Sequence, residues 1–253
     1  MSAKSPAMTI SKDAYDAVIF DLDGVITDTA STHSTAWKAL FDGYLQELAA
    51  RSGELFVPFN IDSDYRQFVD GKPRYEGVRS FLESRGIKLP YGDPEDPPDR
   101  ETVCGLGNKK NPMFLARLER DGVQVYDSSV KLIHDLLAKG IRTAIVSSSK
   151  NCVAILEAAH ITDLFEVKVD GVDAARLGLT GKPEADTFLE AAREMGVDPA
   201  RSIVVEDAIA GVQAGRNGKF GCVIGIDRIG DPQALSENGA DVVVSDLAEV
   251  VCE

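Results

Sequence analysis

Four carboxylates, one lysine and a run of hydroxyls stand where strand-like segments of this sequence end. Asp21 and Asp23 close the apolar run Ala17-Val18-Ile19-Phe20, and Ser147, Ser149, Lys150 and Asn151 follow the run Arg142 to Val146. Glu206 and Asp207 end the run that begins at Ser202, and Lys182 precedes Pro183 just before a helical segment. Crowded carboxylates stay ionised together only around a cation, and a hard divalent ion with oxygen ligands is the natural choice. Mg²⁺ suits Asp21, the main chain of Asp23, and the acids Glu206 and Asp207, with substrate phosphate oxygens completing its shell. Ser147 and Lys182 then offer a hydroxyl donor and a compact cation to the remaining phosphate oxygens. Asp21 is placed to attack phosphorus, and Asp23, two residues on, to act on the alcohol oxygen as general acid and base. Taken singly, each feature has a plainer reading as a turn, a helix cap or a solvated lysine. Their joint appearance, in this order and at strand ends, carries the argument.

The elements that must position these residues follow from periodicity. The run at Ala17 is apolar at successive positions, as in a strand buried on both faces. Trp37, Leu40, Phe41, Tyr44, Leu45 and Leu48 recur at spacings of three and four and predict a helix between His33 and Arg51. Tyr75, Val78 and Leu82 predict a shorter one ending near Arg85-Gly86, and a further helix is expected from Asn111 to Arg120, after the proline-rich acidic loop Asp93 to Asp99. From about Asp121 helices and strands alternate. Helices are expected around Val130 to Leu137, Asn151 to Ala159, Glu184 to Met195 and Ile209 to Asn217. Strands are expected at Arg142 to Val146, Phe165 to Val169, Ser202 to Val205, Cys222 to Ile226 and Asp241 to Val244, with a polar tail before the first strand. That alternation predicts an α/β fold, a Rossmann-like parallel-sheet core with helices on both faces and an inserted all-helical cap domain. The expected division is 1–29 and 122–253 for the core and 30–121 for the cap. In such a sheet, ligands bind beyond the carboxyl ends of the strands, where the acids and hydroxyls converge.

Composition narrows the partners. With 27 basic and 41 acidic residues among 253, the formal net charge is −14, which disfavours a nucleic-acid partner and requires a local positive group for any anionic ligand. The four cysteines, Cys104, Cys152, Cys222 and Cys252, form neither a zinc motif nor a disulfide framework. No leader-like apolar stretch opens the chain, and no run approaches the roughly 18 apolar residues that span a bilayer. A cytoplasmic monomer without a membrane partner is the expectation.

The order Asp21-x-Asp23-Gly24-Val25, Ser147, Lys182-Pro183, Glu206-Asp207 resembles the four motifs of the haloacid dehalogenase-like superfamily, whose members are mostly Mg²⁺-dependent phosphotransferases. Asp21 to Asp28-Thr29, His33, Trp37 and Ser147-x-Ser149-Lys150-Asn151 resemble its β-phosphoglucomutase-like subgroup in particular. The resemblance implies that Thr29 lies at the hinge to the cap and that His33 couples substrate binding to proton transfer by Asp23. It implies also that Arg74, Ser149, Lys150 and Asn151 hold the second phosphate of a sugar bisphosphate, while Lys110 and Asn111 form a cap pair reaching the active site. The subgroup's cap loop reads K-G-x-S-R-x-x-S; here it is Asp70-Gly71-Lys72-Pro73-Arg74-Tyr75-Glu76-Gly77. Gly71 and Arg74 match, an acid stands at the lysine position, and Gly77 replaces the serine. Either Lys72 restores the cation two residues later, or the cap takes a different sugar phosphate.

The resulting expectation is a phosphotransferase acting on a small sugar phosphate through a phospho-Asp21 enzyme, converting β-D-glucose 1-phosphate to glucose 6-phosphate through the 1,6-bisphosphate. A sugar-phosphate phosphatase shares the chemistry and differs in letting water take the phosphoryl group. A non-catalytic sugar-phosphate-binding module has no need of a nucleophile beside a second carboxylate, and a dehalogenase has no need of the paired acids around a metal.

Overall fold

Runs that are apolar at every position have no face to offer to water, and in the computed structural model, which describes residues 7–253, they form the interior strands. In chain order, β1 (Met8–Ile10) and β2 (Ala17–Asp21) precede the helices α1 (Ala30–Ser52), α2 (Arg66–Phe68), α3 (Arg74–Ser84) and α4 (Val103–Asp121). There follow α5 (Asp127–Ala138), β3 (Arg142–Val146), α6 (Cys152–Ala158), β4 (Val167–Val169), α7 (Gly171–Leu177), α8 (Asp186–Met195) and β5 (Ser202–Glu206). The chain closes with α9 (Ile209–Asn217), β6 (Cys222–Ile226), α10 (Pro232–Glu237), β7 (Val242–Val244) and β8 (Val250–Cys252).

Six strands form one parallel sheet in the order β4-β3-β2-β5-β6-β7, with helices on both faces. Strand β2 lies between β3 and β5, so its register fixes the functional edge: Ala17 pairs with Arg142 and Ser202, Asp21 with Val146, and Phe20 with Val205. The carboxyl ends of β2, β3 and β5 therefore fall side by side. Ile19, Ala144 and Val204 pack with Phe188 and Met195 of α8 in one interior cluster. At roughly 1.5–3 kcal/mol for each fully buried large apolar side chain, this burial holds the strand ends in place.

The chain divides into two compact units. One comprises the chain up to Asp28 together with Val123–Glu253; the other is Thr29–Gly122, wholly helical in its regular structure. The second unit has its own core, in which the ring of Phe41 lies 5.2 Å from Trp37, 5.0 Å from Phe59 and 4.2 Å from Phe81, centre to centre. No helix among the described residues is long and apolar enough to cross a membrane.

Several elements differ from the sequence-based expectations. The polar tail contains β1, which pairs in parallel with β8 at the chain's other end, Thr9 facing Val251. Helix α4 starts eight residues before the expected Asn111, and its first turns contain Gly105 and Gly107, where close contacts leave no room for a side chain. A Cβ on Gly105 would lie 2.2 Å from the Arg100 carbonyl oxygen, and one on Gly107 would lie 2.7 Å from the Tyr75 ring. Thr102 caps this helix by accepting the Gly105 N–H at 3.0 Å. Helices α7 and α10 were not expected; both start at an aspartate cap, Asp170 and Asp231. The acidic proline-rich loop is exposed as expected except at Asp96, buried where it accepts the Thr102 hydroxyl at 2.7 Å.

Candidate active site

Asp21 and Glu206 are the last residues of β2 and β5, and Ser147 follows the last residue of β3, so the sheet register delivers all three to one edge. Lys182 arrives from the loop before α8. Its ammonium donates to both the Asp21 and Glu206 carboxylates and lies 5.0 Å from the centre of the Phe188 ring. Lys182 and Glu206 are almost wholly buried and Asp21 is 6% exposed, so this three-membered ion cluster is shielded from water. Burial opposes the lysine's charge, but Asp21 and Glu206 outweigh it and push Lys182 above its ordinary range, leaving a fixed cation. Burial pushes the Asp21 carboxyl well above the usual carboxylate range, Lys182 pulls it down, and the Glu206 and Asp23 charges add to the rise. One ammonium does not balance these acids.

Carboxylate oxygens of Asp21, Glu206 and Asp207 lie within 4.8 Å of one another, an all-oxygen set of the kind a hard divalent cation takes. Both Glu206 oxygens are engaged: one accepts from Lys182, the other from the main-chain N–H groups of Asp207 at 3.0 Å and Ala208 at 3.1 Å. Glu206 is therefore chiefly the anchor of Lys182, and Asp21 and Asp207 are the acids better placed to hold a metal. The sequence reading put Asp23 among the metal ligands through its main chain; its carboxylate, outside the close acidic set, accepts the Ser147 hydroxyl at 3.4 Å.

Two glycines make this packing possible. Gly24 takes φ +88°, and a Cβ there would sit 1.8 Å from an Asp207 carboxylate oxygen. A Cβ on Gly211, in the first turn of α9, would sit 1.8 Å from the Glu206 carboxyl carbon. Gly24 was visible in the sequence as part of the first motif, whereas nothing there marked Gly211.

After β3 the chain wraps in successive hydroxyl-capped turns. Ser147 Oγ accepts the Ser149 N–H and Ser149 Oγ accepts the Asn151 N–H, both at 3.1 Å. This fixes the main chain that carries Ser149, Lys150 and Asn151 within the same unit as Asp21.

The remaining candidates lie in the helical unit. Thr29 is buried at the start of α1, and His33, in its first turn, has Nδ1 2.6 Å from the Lys110 ammonium. The His33 ring stacks on Phe114 at 4.0 Å, and Lys110 lies over Phe114 at 4.5 Å and Trp37 at 5.2 Å. Trp37, part of the apolar stripe of α1, thus also supports the buried lysine. Arg74 donates to the Asn111 side-chain oxygen at 2.7 Å, and burial pulls its pKa down. Gly71, at φ +70°, turns the chain three residues earlier. Lys72 donates to Ser80 Oγ at 2.9 Å and the Gln67 carbonyl at 3.4 Å, so it is bound within its own unit.

Three comparisons bear on these clusters. Residues 15–219 match the family model described as haloacid dehalogenase-like hydrolase. The chain is 50% identical over 238 residues to a β-phosphoglucomutase of Mycobacterium tuberculosis, covering 93% of this chain and 91% of that protein. It is 31% identical over 237 residues to a β-phosphoglucomutase of Bacillus subtilis, covering 94% and 92%. Among solved structures, a β-phosphoglucomutase from Clostridium difficile superposes with a TM-score of 0.73 at 25% identity, covering 93% of this chain and 92% of that one.

Proposed function

The chain belongs to the haloacid dehalogenase-like hydrolase family, in its β-phosphoglucomutase-like subgroup, and on that premise we propose that it converts β-D-glucose 1-phosphate to glucose 6-phosphate through a phospho-Asp21 enzyme and a 1,6-bisphosphate. The observation that carries the reading is the buried ammonium of Lys182, held by Asp21 and Glu206 at the end of the central strand. That arrangement orients a nucleophilic carboxylate and keeps a cation beside it in a water-poor setting.

In the proposed cycle a phospho-Asp21 enzyme gives its phosphoryl group to the sugar. The C6 hydroxyl oxygen bonds to phosphorus, its proton passes to Asp23, and the bond from phosphorus to the Asp21 oxygen breaks. The bisphosphate then presents its other end: Asp21 bonds to the phosphorus at C1, the ester bond breaks, and Asp23 returns the proton to the leaving oxygen. Lys182 neutralises the phosphoryl oxygens and Ser147 donates a hydrogen bond to them. Mg²⁺ held by Asp21, Asp207 and the main chain of Asp23 would add positive charge at those same oxygens. Arg74, Ser149, Lys150 and Asn151 are assigned to the phosphate that is not reacting, and Thr29, His33, Gly71, Lys110 and Asn111 to the sugar side, as the family likeness suggests.

A mutase must keep water from the aspartyl phosphate, and a phosphatase admits it. The decisive assay supplies β-glucose 1-phosphate, Mg²⁺ and a trace of the bisphosphate, and follows glucose 6-phosphate and inorganic phosphate together. Glucose 6-phosphate is expected with little free phosphate; inorganic phosphate as the only product would overturn the mutase reading in favour of the phosphatase.

A further inference from the structure

The loop Leu22 to Thr27 carries Asp23 away from the central strand, and nearly every carbonyl in it is spoken for. The Leu22 oxygen accepts from Ile26 at 2.9 Å and Thr27 at 3.0 Å, and the Thr27 oxygen accepts the Gly24 N–H at 2.8 Å. The Val25 oxygen accepts the Ser129 hydroxyl at 2.7 Å, and the Ile26 oxygen accepts the Tyr126 N–H at 2.9 Å. The Gly24 oxygen accepts from a residue 204 positions away: Arg228 Nε donates to it at 2.7 Å.

Arg228 is held by a second contact as well. Its guanidinium carbon lies 3.7 Å from the centre of the Tyr126 ring, and its Nη1 is 3.9 Å from an Asp246 oxygen, too far for a close ion pair. Its Nη2 is buried without a hydrogen-bond partner among the described residues. An unpaired buried donor is unfavourable, and an arginine gripped only by surface charge avoids it by swinging into water. Here the Gly24 carbonyl and the Tyr126 ring hold it inside despite that cost. The stem is fixed as well, because Asp227 Oδ1 accepts the N–H groups of Ile229, Gly230 and Asp231 at 3.1, 2.8 and 3.0 Å. Tyr126 in turn donates its hydroxyl to Asp28 at 3.2 Å.

We infer that Arg228 is a positioning residue for phosphoryl transfer: by fixing the Gly24 peptide from the loop after β6, it sets where Asp23 stands beside Ser147 and where Gly24 abuts Asp207. The inference rests on the proposed role of Asp23 as the acid and base. Nothing in the sequence marks Arg228, which follows a strand on the far side of β5 and belongs to none of the four motifs.

The test compares the full-length protein with Arg228→Ala and Arg228→Lys by amide hydrogen exchange and by steady-state kinetics. In Arg228→Ala, the Gly24, Ile26 and Thr27 amides should exchange about tenfold faster while those of β5 and β6 keep their protection. Turnover of the phosphate ester should fall about tenfold in kcat with KM within about twofold, because a displaced acid slows the transfer step and leaves ground-state binding alone. Arg228→Lys, which keeps one donor within reach of the Gly24 oxygen, should recover most of both effects. Unchanged loop exchange in both variants would overturn the inference, as would an exchange increase spread over the whole sheet or a loss confined to KM. The exchange readout needs no turnover, so a failure of the mutase reading, seen as the wrong product in the wild type, stays distinct from a failure here.

Discussion

At the scale of single residues, the ion cluster of Lys182 with Asp21 and Glu206 is the feature that the proposed chemistry and the stability of the sheet edge share. Removing one member of a buried charge cluster leaves the others unpaired, at a cost of roughly 3–5 kcal/mol. Lys182→Met is expected to lower the unfolding free energy by about that amount and to abolish turnover. Glu206→Gln added to Lys182→Met should restore part of the stability and none of the activity, a pattern that urea unfolding and rate measurements on the single and double variants would show. The acids and Ser147 were legible because they sit at the ends of apolar runs, and Lys182 because it precedes Pro183 just before a helical segment. Their close partners were not: Gly211 and Arg228 act through contacts between segments distant in sequence, and a one-dimensional pattern carries no such information.

At the scale of elements, the strands were legible because a run buried on both faces is apolar throughout, and Arg142–Val146 and Cys222–Ile226 lie where their residues predict. Helices α7 and α10 were missed for a physical reason: each is seven residues or fewer and too short to show an amphipathic period. Their signal lay in the caps. Asp170 accepts the Asp173 N–H at 3.0 Å and the Asp173 side chain accepts the Asp170 N–H at 3.2 Å, a reciprocal capping box. Burial raises the Asp173 pKa, but Lys168 and Arg176 outweigh it and hold the carboxyl at about 2, below its usual 3.8. A lowered folded-state pKa contributes stability above the unfolded value and loses it as pH falls through the folded one. Asp173→Asn should therefore cost about 1 kcal/mol at neutral pH. That difference should fade between about pH 4 and about pH 2, as followed by thermal unfolding at a series of pH values.

At the scale of the whole molecule, the net charge of −14 opposes the approach of a phosphate dianion, while the lysine proposed to receive it is buried. Raising the concentration of an inert salt, with free Mg²⁺ held constant, should screen the repulsion and raise kcat/KM by roughly two- to fivefold, with little change in kcat. A fall in kcat/KM with salt would mean that local positive charge steers the substrate instead. A helical stretch interrupting an alternating pattern is the ground for expecting a division at 29/30 and 121/122; the compact units of the structure meet at Asp28 and Thr29, and at Gly122 and Val123. The pairing of β1 with β8 was not legible, because three-residue strands at opposite ends of the chain show no period and identify each other only once the fold brings them together.

The central claim is that Asp21 bonds covalently to phosphorus, and chemical trapping tests it directly. Protein incubated with glucose 1,6-bisphosphate and Mg²⁺, then quenched and reduced with borohydride, converts an aspartyl phosphate to homoserine, which peptide mass spectrometry locates in the chain. Homoserine at position 21, absent when the same treatment is applied to Asp21→Asn, is the predicted result. Turnover by a protein that yields no modified residue, or one modified elsewhere, would contradict it.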